Sequence, residues 1–148
     1  MKIIKIAKAF APANVSCVFR LYESNNPEKK GSLGMGFTLD KGAIISARRA
    51  NKTIVKVNGK KIEFPTVMSV LKKLTKEKIE VNIKNDVPFG AGFGMSGASA
   101  LATAYAVNKL LGLKKSKKQL ALSPALFIIL ILFLFLSTFF VLISPNTL

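Results

Sequence analysis

The stretch Asp86-Val87-Pro88-Phe89-Gly90-Ala91-Gly92-Phe93-Gly94-Met95-Ser96-Gly97-Ala98-Ser99-Ala100 decides how the chain is read. Gly90, Gly92 and Gly94 fall at alternate positions, so the backbone there can take positive φ and approach a ligand closely. The residues from Ser96 to Leu111 are mostly small or apolar and predict a helix that Gly112 stops. The loop therefore opens into a helix N-terminus, where unpaired N–H groups and the helix dipole favour an anion, most often phosphate. Ser96 and Ser99 add hydroxyls, and that of Ser96 can reach a phosphate or a phosphate-bound Mg²⁺. A tight strand-to-helix turn needs one glycine. Gly90, Gly92, Gly94 and Gly97 in so short a run argue for anion binding instead.

Two common phosphate motifs do not fit. No lysine follows the last glycine, so this is not a lysine-containing P-loop. Gly92, Gly94 and Gly97 formally satisfy G-x-G-x-x-G. That fingerprint, however, needs a fully buried parallel strand before it, whereas Lys78–Lys84 alternates polar and apolar residues. No Asp or Glu follows Asp86 to take a ribose hydroxyl.

Upstream of the loop, TIVKVNGKKIEF (53–64) alternates on both sides of Asn58-Gly59, the signature of a hairpin with a type I′ turn. Pro65 to Leu74 predicts a short amphipathic helix with Val67, Val70, Leu71 and Leu74 on one face. Residues 2–22 predict a strand, a loop near 11–14 where Pro12 lies, and a second extended stretch. Ser24 to Gly31 reads as a polar loop, and Gly34 to Ala50 as two strands around Asp40-Lys41-Gly42. Antiparallel strands with a few helices make an α+β fold.

The chain has 148 residues, with 23 Lys+Arg against 7 Asp+Glu for a net charge of +16. Histidine is absent, which excludes Ser-His-Asp and Cys-His catalysis and histidine-ligated zinc. The lone Cys17 excludes an intrachain disulfide and a cysteine metal cluster. All charge lies before residue 119. Residues 125–143, ALFIILILFLFLSTFFVLI, span about 28 Å as a helix, close to the hydrocarbon thickness of a bilayer. Lys114, Lys115, Lys117 and Lys118 precede it and place residues 1–118 on the cytoplasmic side. The expected organisation is a domain over 1–118, a junction at 119–124, a transmembrane-type helix at 125–143 and a short tail at 144–148. The other reading of 119–148 is a non-native segment produced by a change of reading frame.

The arrangement P-x-G-A-G-x-G-x-S-G-A at 88–98 closely resembles the second motif of the GHMP kinases, named for galactose, homoserine, mevalonate and phosphomevalonate. Phe93 stands where leucine is usual, and Met95 replaces the first of two serines. A-P-A-N at 11–14 is similar to the first motif of that family. Within it, K-A-F-A-P (8–12), G-S-x-G-x-G-F (31–37) and S-G-A-S-A-L-A-T-A (96–104) resemble archaeal pantoate kinases. The resemblance covers residues 1 to about 121 and implies the N-terminal half of a GHMP-kinase-like fold. It implies ATP-dependent phosphorylation of pantoate to 4-phosphopantoate, a step toward coenzyme A. Gly90, Gly92, Gly94, Met95, Ser96, Gly97 and Ser99 would surround the ATP phosphates, Ser96 would help hold Mg²⁺, and Lys8 and Asn14 would face substrate or nucleotide. A cytoplasmic domain is implied, membrane-anchored through the tail if that is translated as given. Family members are longer and carry acids after the glycine helix that act on Mg²⁺ and the acceptor hydroxyl. Here catalytic residues stay unassigned, and the chain is expected to be an incomplete, inactive kinase. The competing classes are a tail-anchored basic membrane protein and a basic nucleic-acid-binding protein. The lysines are spread along the sequence rather than gathered in a stripe, so no specific nucleic acid is expected.

Overall fold

Residues 7–13 alternate alanine with Lys8, Phe10 and Pro12, the pattern of a strand with one face buried and one exposed. In the computed structural model, which describes residues 5–22 and 31–121, Ala7, Ala11 and Ala13 are fully buried, and Lys8, Phe10 and Pro12 are exposed. They belong to strand β1 (Ala7–Tyr22), which pairs antiparallel with β2 (Gly31–Arg49) along its whole length, from Ala7↔Ala47 to Tyr22↔Gly31.

This long pairing corrects two expectations. The loop expected near 11–14 is a register shift between Pro12 and Asn14 within one continuous strand. Asp40-Lys41-Gly42 does not separate two strands. Because Pro12 faces Gly42 and Asn14 faces Thr38, Leu39, Asp40 and Lys41 stand across from Ala13 alone and form the wide side of a bulge. Gly42 is required there for a steric reason. A Cβ on it would overlap the Ala11 carbonyl oxygen and come within 2.7 Å of the Ala13 nitrogen. The glycine that suggested a turn instead lets two strands close on each other.

Three further strands complete the sheet: β3 (Ile54–Val57), β4 (Lys60–Lys61) and β5 (Ile79–Asn85), in the order β1-β2-β5-β3-β4. The expected hairpin is present. Asn58 and Gly59 have φ of 49° and 82°, as a type I′ turn requires. β3 runs parallel to β5, with Ile54↔Glu80 through Val57↔Ile83. Helix α1 (Pro65–Leu74) lies between them in sequence and carries the chain back for the parallel pairing. It begins with Pro65 in its first turn and buries Val67, Val70 and Leu71.

Helix α2 (Met95–Leu111) ends at Gly112, whose φ of 63° forms the left-handed cap. Its buried Ala98, Ala102 and Ala106 share one core with Ala7, Ala11, Ala43 and Ala47 of the sheet, where short side chains on both layers let helix and sheet approach closely. Ile45, Ile79, Val81 and Ile83 supply the bulk of that core. A second cluster joins Val70, Ala100 and Ala104 to Leu120 of α3 (Lys117–Ala121), a helix the sequence reading did not anticipate. Packing thus continues past 118, where the domain was expected to end. Most of the polar loop at 24–31, and the segments 125–143 and 144–148 read as a transmembrane-type helix and tail, lie outside the described residues. Among the described residues no helix is long and apolar enough to cross a membrane.

A glycine loop at the mouth of a helix

The candidate site is built from the end of β5 onward. The Asn85 backbone N–H donates to Asn58 Oδ1 (3.3 Å), and its side-chain amide donates to the Val87 carbonyl (2.8 Å). The Asn58 N–H donates in turn to the Ile83 carbonyl (2.8 Å), so the hairpin turn braces the start of the loop. Val87 is buried. Phe89 packs edge-on against Phe64, with ring centroids 5.3 Å apart and planes at 87°. Phe93 packs on the main core, and its carbonyl accepts the Asn14 backbone N–H at 3.1 Å. Two aromatic anchors therefore hold the loop down while Gly90, Ala91 and Gly92 stay exposed between them.

Gly90, Gly92 and Gly94 have φ of 79°, 79° and 68°, whereas Ala91 and Phe93 do not take positive φ. Backbone alternating in this way turns successive N–H groups toward one side, the arrangement of an anion-binding nest. Among the described residues, no atom lies within 4 Å of where a Cβ would stand on Gly90 or Gly92. Crowding within the chain therefore does not explain these glycines. Backbone conformation and an open approach do.

Gly94 is also the N-cap of α2, without any side-chain cap. The first helical bond runs from the Ala98 N–H to the Gly94 carbonyl (3.0 Å), so the amides of Met95, Ser96 and Gly97 lie ahead of it. The first turn holds no acid, leaving the positive end of the dipole uncompensated. Ser96 is half-buried. Met95 buries its side chain in the core and offers the loop only its amide.

The structure does not bring every expected residue here. Ser99 is wholly buried, and its Oγ has no hydrogen-bond partner among the described residues. Lys8 pairs with Ser46 and is exposed on the sheet face opposite α2. It lies six residues, about 20 Å, along β1 from Asn14. Asn14 does reach the loop, through its backbone. For magnesium the donors are sparse: among the described residues no three His, Cys, Asp or Glu side chains gather to hold a metal. The set fits an ion carried mainly by nucleotide phosphates and water, with Ser96 as one protein oxygen. The sequence points to Asn58 only as a turn residue, and the support that Phe89, Phe93, Asn58 and Asn85 give the loop was not anticipated; the two aromatic residues flanking the glycines are the local sign from which an anchor could have been read.

Residues 64–125 match the family model of the GHMP kinases N terminal domain. A pantoate kinase from Methanocaldococcus jannaschii is 32% identical over 116 residues, covering 76% of this chain and 43% of that protein. Among solved structures, a phosphotransferase related to the CoA biosynthesis pathway aligns with a TM-score of 0.68 at 29% identity, over 82% of this chain and 44% of the other. A homoserine kinase from Cytophaga hutchinsonii aligns with a TM-score of 0.59 at 28% identity, over 90% and 43%. The chain thus spans less than half the length of the relatives it matches. By sequence and by fold, the chain is similar to the GHMP kinases through their N-terminal domain.

Proposed function

We propose that residues 7–121 supply the ATP-phosphate-binding part of a GHMP-type kinase whose acceptor is pantoate, giving 4-phosphopantoate. One observation carries the nucleotide half of this reading: three positive-φ glycines open directly into an uncapped helix N-terminus free of acids. Gly90, Gly92 and Gly94 shape the cradle. The amides of Met95, Ser96 and Gly97 donate to phosphate oxygens, and the Ser96 hydroxyl serves Mg²⁺. When bound, Mg²⁺ neutralises charge on the phosphates during transfer. Ser99 acts from beneath, as a buried support of the first turn. Asn14 sets the distance between β1 and the loop. Pantoate as acceptor is supported by the similarity to archaeal proteins of that name.

Phosphoryl transfer also needs groups that align the acceptor. No Asp or Glu follows Asp86 in this chain, and positioning is worth roughly 7–11 kcal/mol of barrier. The 148-residue chain by itself therefore binds ATP without transferring its phosphate. The test is a chimera in which residues 1–121 replace the matching part of the Methanocaldococcus jannaschii pantoate kinase. It should phosphorylate pantoate in preference to homoserine or mevalonate, and Gly94→Val should abolish turnover. A chimera that folds yet ignores pantoate would overturn the acceptor, and turnover surviving Gly94→Val would overturn the nucleotide site.

The composition of 125–143 supports a second, separable reading, a membrane-inserting segment that leaves the kinase-like domain on the cytoplasmic side. Its test is carbonate extraction of the expressed chain, where release into the soluble fraction would end the idea.

A further inference from the structure

The sheet face turned away from α1 and α2 collects what the linear sequence disperses. From the registers, Lys8 of β1, Arg48 of β2, Lys84 of β5, Lys56 of β3 and Lys61 of β4 all stand on it. Every strand contributes one cation. Among the described residues the only acid at these register positions is Glu80, and it is already taken: its Oε1 accepts Arg48 Nη2 at 2.9 Å and Lys56 Nζ at 3.1 Å. Lys8, Lys61 and Lys84 are exposed, and among the described residues none of them forms a salt bridge. Among them Phe10 stands beside Ile44 across the β1–β2 pair, 48% and 36% exposed, with no covering element among the described residues.

Apolar side chains on a solvated sheet face call for a covering ligand. A second copy of this chain would bring like charge against like charge. The complementary ligand is anionic at intervals and carries flat apolar groups, which describes single-stranded nucleic acid: lysines follow its backbone and an exposed aromatic ring stacks a base. We propose that this open sheet face binds single-stranded nucleic acid without sequence preference, independently of the glycine loop. The dispersion of lysines along the sequence argued against a nucleic-acid stripe, and the strand order now assembles one from residues up to 76 positions apart.

The test is fluorescence anisotropy of a labelled oligouridylate 12-mer with the full chain in neutral detergent. Single-strand affinity falls with a log–log salt slope of about −0.7 per phosphate contacted, so three lysines predict about a 20-fold weakening between 50 and 200 mM salt. The double variant Lys8→Ala/Lys84→Ala should lower the slope by about 1.4. Phe10→Ala should weaken binding about tenfold, as expected for one lost stacking contact. Glu80→Gln, which releases Arg48 and Lys56, should tighten it severalfold. Lys72→Ala/Lys73→Ala on α1 and excess Mg·ATP should change nothing. The proposal is overturned if the α1 lysines matter as much as those on the sheet, if Mg·ATP displaces the oligonucleotide, if no binding occurs, or if phosphatidylserine vesicles bind this face in its place.

Discussion

Gly92 and Gly42 are both glycines for backbone reasons, yet opposite surroundings separate them. Around Gly92 there is open space and a positive φ, around Gly42 the facing strand. Gly92→Ala therefore costs only the left-handed conformation, about 1–2 kcal/mol, while placing a methyl where phosphate oxygens would approach. Binding of a fluorescent ATP analogue should weaken at least tenfold, while urea unfolding shows the modest loss. Gly42→Ala forces the β1–β2 bulge apart and should reverse that pattern: stability drops by about 3 kcal/mol, the upper end of the usual scale of overpacking with a backbone shift, and the fraction that remains folded keeps its nucleotide affinity. Ser96 offers a variant that leaves the fold alone. Ser96→Ala should leave the urea midpoint unchanged and remove the part of nucleotide affinity that depends on Mg²⁺.

Among the elements, α2 and the first two strands meet through alanines. Ala102 is wholly buried between layers, and Ala102→Leu should destabilise by about 1–3 kcal/mol through overpacking, read as a lower thermal midpoint. Glu80 gives a test of opposite character. Hydrogen bonds from Arg48 and then Lys56 hold its carboxyl below the usual range. A lowered folded value means that the stabilisation is fully present above the ordinary carboxylate pKa and is lost as pH falls through the folded value. Glu80→Gln should cost at most about 1 kcal/mol at pH 7, and the difference from wild type should vanish in strong acid, measured as urea midpoints. These elements also show what sequence could reveal. α1, the type I′ turn, β5 and α2 were legible because each rests on a local period or a local stop signal. The continuity of β1 and β2 was not, since Pro12 and Gly42 individually look like breaks and become compatible with pairing only when placed opposite each other. The parallel β3–β5 contact was hidden for a related reason: alternation reveals faces but not direction. At the site, the glycines could be read directly, whereas the Phe64–Phe89 contact and the Asn58–Asn85 brace join residues 25 and 27 positions apart.

For the molecule as a whole, the layers are asymmetric. One sheet face is sealed by α1 and α2 and the other has no covering element among the described residues, while the glycine loop proposed as the nucleotide cradle lies beyond the end of β5. An anion held at the loop and a polyanion held on the open face would therefore occupy separate surfaces. Purified chain should retain oligonucleotide when Gly94→Val has removed ATP binding, and retain ATP when Phe10→Ala has weakened the oligonucleotide. The two losses should be independent in anisotropy titrations of the double variant.

The bond from the Asn14 amide to the Phe93 carbonyl joins the β1 bulge directly to the loop. It makes one peptide proton a gauge of how often the loop breathes. While the loop is empty, each excursion that lifts Phe93 off the core breaks this bond and lets the proton exchange with solvent. A nucleotide that holds the loop closed should slow exchange at Asn14 by the factor by which it depletes the open population. Amides of the β3–β5 pairing should keep their rates. A site-resolved exchange measurement could thus report occupancy of the cradle from a strand that need not touch the ligand.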